Sequence, residues 1–208
     1  MSSHIDKAPV IAGAEAWSNN GTKRVGALCI HGFTGNPSSM RGVAEAFAGA
    51  GYDVELPRLP GHGTAVSDMI PSRWSDWSFE VAAAYARLAA RVDKVVVAGL
   101  SMGGSLTLWT ALQRPSVSGI VCINPASQPQ AEEMIEMVKG MLAEGTEVFP
   151  GIGSDIADPN VKESSYPETP LAPLVSMVED GIKPMLSQYG SCKIPMLLIT
   201  SIRLMISR

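Results

Sequence analysis

The chain has 208 residues, 46% apolar and 17% charged, with a net charge of −4. That balance argues for a folded globule of one domain, and the lack of any basic cluster argues against a nucleic-acid partner. No apolar run approaches the length of a membrane span, and the N-terminal Met1-Ser-Ser-His-Ile-Asp has no apolar leader pattern. A cytoplasmic protein with at most peripheral membrane contact is therefore expected, and the sequence sets no oligomeric state.

In chain order, residues 14–17 and 24–28 flank the turn-like "SNNGT" and suggest a hairpin. Residues 25–30 read as an apolar strand, 38–50 as a helix stopped by Gly51, and 52–56 as a second strand. Ala-rich 77–91 reads as a helix, 95–100 as a third strand, and 102–113 as a helix ended by Pro115. Residues 119–123 and 195–200 are further strands. Strands separated by helices of this length imply an α/β fold with a parallel sheet. The rhythm breaks between Ala126 and about Gly190, where an amphipathic helix over 131–144 precedes the Pro/Gly-rich "FPGIGSDIADPN" and "YPETPLAP". An insertion between sheet strands suggests a cap, which divides the chain into a core of 1–125 with 191–208 and a cap of 126–190.

The informative stretch is "KVVVAGLSMGGSLTLW", where an apolar strand turns through Gly99-Leu100-Ser101-Met102-Gly103 into a helix. The five-residue pattern alone is weak; its place at a strand–helix corner strengthens it. A tight corner leaves no room beside the serine for side chains, which accounts for Gly99 and Gly103, while Gly104 lets the helix sit close. Ser101 then projects its Oγ as a candidate catalytic nucleophile, and the Met102 N–H opens the helix beside it.

In "ALCIHGFTGNP" a strand ends at Ile30, and the next loop can offer the Phe33 N–H as a second oxyanion donor. His31 and, in "PRLPGHGTA", His62 are read as histidines bracing loops, with a catalytic base as the competing role. Cys29, Cys122 and Cys192 are read as small apolar residues, since no histidine follows any of them at ligand spacing. No metal and no cofactor is expected. The cap helix carries Met134, Ile135, Met137, Val138, Met141 and Leu142; this apolar face serves either packing or a lipid tail.

On these residues the chain resembles the α/β-hydrolase family, and more closely the small-capped bacterial monoacylglycerol lipases and carboxylesterases. The stretches that carry the resemblance are "CIHGFTGNPSSM", "PRLPGHGT", "SDWSFEV", "VVVAGLSMGGSLTLW", "INPA", "PGIGSDI" and "KESSYPETP", in order over about residues 25–201. The resemblance implies ester hydrolysis through an acyl-enzyme on Ser101, with Phe33 and Met102 as backbone oxyanion donors. It implies a small-molecule ester or lipid substrate held under the cap. Glu163 would bind that substrate by accepting a hydrogen bond from an alcohol such as glycerol; its alternative is a solvated surface glutamate.

The family pattern also needs an aspartate after the strand "PMLLITS" and a histidine in the loop after the final strand. Here "ITS" is followed by "IRLMISR", and no histidine follows His62. Asp155, Asp158 and Glu179 belong to the cap and do not fill the acid's place. The expectation is thus a hydrolase core ending after its penultimate strand, with roughly 40 to 60 residues of last strand and helices absent. Turnover by such a chain should be severely impaired, because removing the base costs about 10⁶-fold in serine hydrolases. A rival expectation is a non-catalytic remnant that keeps an acyl pocket, and a third is a different reaction on the same fold.

Overall fold

A computed structural model describes residues 6–151 and 164–201. Its main sheet contains β1 (Trp17–Asn19), β2 (Val25–Ile30), β3 (Asp53–Leu56), β4 (Lys94–Leu100), β5 (Val117–Ile123) and β8 (Met196–Ile199), in the order β1-β3-β2-β4-β5-β8. All neighbours are parallel except β1, which runs antiparallel to β3.

Alternation along the strands sorts side chains to two faces. Leu28, Ile30, Val95, Val97, Ile120 and Cys122 join the larger core with helices α3 (Trp74–Ala89) and α4 (Met102–Gln113). Cys29, Val54, Leu56 and Ala98 pack with Met40 and Ala44 of α1 (Ser38–Gly49), and the short α2 (Val66–Met69) follows β3. The strand 25–30 and the helix 102–113 coincide with their sequence boundaries.

The N-terminal segment forms no hairpin with β2. β1 pairs with β3, not β2, in the register Trp17↔Leu56. β2 already has β3 and β4 on its two sides, so its backbone groups are taken. Asn20 to Lys23 instead passes over the start of β3, where the Gly21 N–H meets Asp53 Oδ2 and the N–H groups of Thr22 and Lys23 meet the Gly51 carbonyl. Helix α3 begins three residues earlier than its sequence reading, at Trp74. Its first turn is held by Asp76, which accepts the Arg73 N–H, and by distant Ser176, whose Oγ accepts the Trp74 N–H.

Between β5 and β8 lie helix α5 (Glu132–Ala143) and a small hairpin of β6 (Val148–Pro150) with β7 (Glu168–Pro170). A helical run follows from Leu171 to Ser191, with a π-turn over Met177–Ile182. Met177, Val178, Ile182 and Met185 enter the larger core, and Gly181 lies flat on the Trp74 ring. At the far side of the sheet, the side chains of β8 are 46–57% exposed.

Glycine substitutions distinguish close backbone approach from general hydrophobic packing. A Cβ on Gly103 would overlap the carbonyl oxygen of Ile30, whereas one on Gly140 in α5 meets nothing within 4 Å. Urea unfolding should therefore show Gly103→Ala losing about 3 kcal/mol or more and Gly140→Ala gaining about 0.5–1 kcal/mol.

Candidate active site

Ser101 is the corner between β4 and α4, with φ 55° and ψ −117°. A non-glycine residue in this region costs of order 1–3 kcal/mol and persists only when its surroundings hold it. Here its N–H donates to the Ile123 carbonyl at 2.9 Å, and its carbonyl accepts the N–H groups of Gly104 at 2.8 Å and Ala126 at 3.1 Å. A Cβ on Gly99 would overlap the Gly103 carbonyl, and one on Gly104 would press on Pro125. The glycines around the serine thus permit close backbone approach on three sides.

The loop after β2 lies against the serine. A Cβ on Gly32 would sit 3.3 Å from Ser101 Cβ and 3.9 Å from its Oγ. Among the described residues, neither the Phe33 N–H nor the Met102 N–H donates to a protein acceptor. Two unpaired donors beside a strained serine are what an oxyanion site requires.

The loop's peptide planes are individually fixed. His31 is fully buried; its Nδ1–H donates to the Gly32 carbonyl at 3.0 Å, and its Nε2 accepts the Leu59 N–H at 3.1 Å. These partners define one neutral tautomer. The Gly32 carbonyl and the Phe33 N–H share a peptide unit, so anchoring the first orients the second. Thr34, at φ 58°, donates its hydroxyl to the Phe33 carbonyl at 2.7 Å, and its own carbonyl accepts the Tyr166 N–H at 3.0 Å.

Both internal histidines brace loops. His62 Nδ1–H donates to the Pro60 carbonyl at 3.0 Å, its ring meets those of His31 and Trp77 edge-on, and its Nε2 has no partner among the described residues. Burial pushes His62 down to about 4. Burial, and then the neighbouring His62, hold His31 well below the ordinary imidazole range. Burial drives the Cys29 and Cys122 thiols up to about 12 and about 11, so neither is a thiolate nucleophile near neutral pH.

Sequence reasoning missed Tyr166 and Asn36. The Tyr166 hydroxyl accepts the Thr64 N–H and donates to the Gly61 carbonyl, each at 2.9 Å. Asn36 donates to the Ser164 carbonyl and to its Oγ. The segment leading into β7 is thereby tied to the loop after β2 and to the 57–64 loop. The only signal was an aromatic residue within a Pro-rich segment. Glu163 lies outside the described residues. On α5, Ile135 and Val138 are buried while Met134 and Met137 are exposed, so the apolar residues divide between packing and solvent.

A family model described as the alpha/beta hydrolase fold matches residues 28–150. A thermostable monoacylglycerol lipase of Bacillus sp. (strain H-257) is 45% identical over 175 residues, covering 83% of this chain and 67% of that protein. A carboxylesterase of Bacillus subtilis (strain 168) is 28% identical over 153 residues, covering 72% of this chain and 60% of that protein. A solved structure from work on LipS and LipT, two metagenome-derived lipolytic enzymes, superposes with a TM-score of 0.85 at 41% identity, covering 94% of this chain and 78% of that one. The chain thus spans about two thirds of the length of the curated relatives it matches.

The buried histidines set an acid response. His62 titrates near 6.5 when unfolded but about 4 when folded, so between these values the unfolded chain binds the extra proton. Stability should be fully present above pH 6.5 and fall as pH drops toward 4, by about 3 kcal/mol from His62 alone. Urea midpoints across this range test it, and His62→Asn, which keeps a donor for the Pro60 carbonyl, should flatten the slope.

Proposed function

This chain belongs to the α/β-hydrolase fold family, and on that premise we propose that it cleaves carboxylic esters through an acyl-enzyme on Ser101. The observation that carries the reading is the strained Ser101 with two unpaired backbone N–H groups near it, that of Met102 at the start of α4 and that of Phe33 in the loop after β2. Ser101 Oγ attacks the ester carbonyl, and its proton passes to a base. The carbonyl oxygen becomes an oxyanion that accepts hydrogen bonds from the N–H groups of Phe33 and Met102; one such donor is worth about 3–4 kcal/mol in the barrier. Collapse breaks the bond to the alcohol oxygen, which leaves as the alcohol with the proton returned by the base; the acyl group stays on Oγ, and water then releases the acid by the same steps.

The substrates proposed are monoacylglycerols or short-to-medium acyl esters. The named activities of the relatives at 45% and 28% identity support this class. Glu163 remains the proposed acceptor for an alcohol hydroxyl. Among the described residues, no helix is long and apolar enough to cross a membrane.

Neither described histidine of the chain serves Ser101 as a base. Its histidines are His4, His31 and His62, and the latter two are buried and neutral with hydrogen bonds to loop backbone. A serine hydrolase deprived of its imidazole keeps only the residual 10³–10⁴-fold over water that an oxyanion hole and binding supply. The same observation favours a second reading, an acyl-binding protein that does no chemistry.

A p-nitrophenyl acyl ester distinguishes them. Slow alcohol release above the uncatalysed rate, lost in Ser101→Ala, supports the ester reading. Equal release by both proteins contradicts it, and binding of the ester with no release above background favours the second reading.

A further inference from the structure

The segment ahead of β1 is strapped over the outside of the 57–64 loop. Asp6 Oδ1 accepts the Gly61 N–H at 2.8 Å, and its Oδ2 pairs with Arg58 Nη2 at 2.9 Å. The other arm of Arg58 donates to the His62 carbonyl at 2.8 Å. Asp6 and Arg58 thus span Gly61 and His62, a turn with left-handed glycines at Gly61 (φ 79°) and Gly63 (φ 67°). Further along, the Ile11 N–H donates to the Gly63 carbonyl at 2.8 Å. Asp68, only 3% exposed, accepts the N–H groups of Lys7 and Ala8 from the strap. These contacts leave a buried carboxylate satisfied by strap backbone, so the strap is built into the fold.

The inner side of the same loop reaches the serine by two routes. In one, the Leu59 N–H holds His31 Nε2, and His31 Nδ1–H holds the peptide that carries the Phe33 N–H. In the other, the Pro60 carbonyl accepts the Trp77 indole N–H at 3.1 Å, and the Trp77 ring packs edge-on against the Phe33 ring. Phe33 is reached along both.

We propose that Asp6 is a remote positioning residue for the oxyanion loop, acting with Arg58 through the 57–64 turn and His31 on the Gly32–Phe33 peptide. The proposal rests on the ester reading for its consequence in catalysis, but the coupling itself is a property of the folded chain. Asp6 touches no reacting atom. Releasing the turn frees the Leu59 N–H to drift from His31, and the flexible Gly32 can then rotate its peptide and turn the Phe33 N–H away from Ser101. An oxyanion donor that turns away raises the barrier to ester cleavage, so the rate reads the peptide's orientation.

The test compares Asp6→Ala, Asp6→Asn and Asp93→Ala on a p-nitrophenyl acyl ester, with solvent exchange of the His31 imidazole proton followed by NMR. Asp93 pairs with Arg24 on the exposed surface and serves as the control for loss of an ion pair. Asp6→Ala should lower kcat about tenfold with KM within about twofold, and should speed exchange of the His31 proton. Asp6→Asn, which keeps an oxygen for the Gly61 N–H, should recover most of the rate, and Asp93→Ala should match the parent. If Asp6→Ala does not fold, Arg58→Lys keeps the charge but not the two-armed span, and should move both readouts in the same direction. A folded Asp6→Ala with unchanged kcat and unchanged exchange overturns the proposal, even if its melting temperature drops. If the parent hydrolyses no ester, faster exchange in Asp6→Ala still supports the coupling while the ester reading falls, and unchanged exchange overturns both.

Discussion

The approach of helix α4 to the ends of β2 and β4 is the constraint on which the rest depends. Gly103 lies so near the carbonyls of Ile30 and His31 that no side chain fits between them, and Gly99 is equally close to Gly103. Only at that spacing does the chain turn from strand to helix within one residue. That residue, Ser101, is left in a backbone conformation that its surroundings must enforce. The same approach brings the loop after β2 against the serine, so its two neighbours with unpaired N–H groups come from different parts of the chain. The helix–sheet packing and the candidate chemistry are one geometric solution.

The second layer is polar and buried. His31, His62, Trp77 and Tyr166 hold the loops around Ser101 through hydrogen bonds to backbone groups. In each case a side chain takes the place of the secondary structure that loops lack. Neutral His31 suits this work because one ring nitrogen donates while the other accepts. The cost is sensitivity to acid, since protonation forces a charge into a buried site and removes an acceptor. The same commitments explain why neither ring is available to Ser101.

Local patterns were legible in the sequence where one segment determines its own structure. The apolar run 25–30 and the Gly-Ser-Gly corner followed by 102–113 needed no distant partner to be read. The hairpin at "SNNGT" failed because strand pairing is settled by which edges are free, and β2 had none. The start of α3 was missed because its cap is partly supplied by Ser176, about a hundred residues away in the chain. The helical run after Leu171 carries Pro173, Gly181 and Pro184, which disguise a helix whose π-turn fits Gly181 onto Trp74. The candidates Ser101, Phe33 and Met102 come from the corner and its loop, which are local patterns, whereas the bracing by Tyr166 and Asn36 depends on tertiary contacts alone.

The account turns on a tetrahedral centre forming at Ser101 with its oxygen between two backbone donors. A crystal structure of the protein with an alkylboronic acid, which bonds to a serine oxygen as a tetrahedral boronate, tests this most directly. The account predicts boron bonded to Ser101 Oγ, with one boronate oxygen about 2.7–3.1 Å from both the Phe33 and the Met102 nitrogens. A boronate bound elsewhere, or bonded to Ser101 with no oxygen facing those two groups, would contradict it.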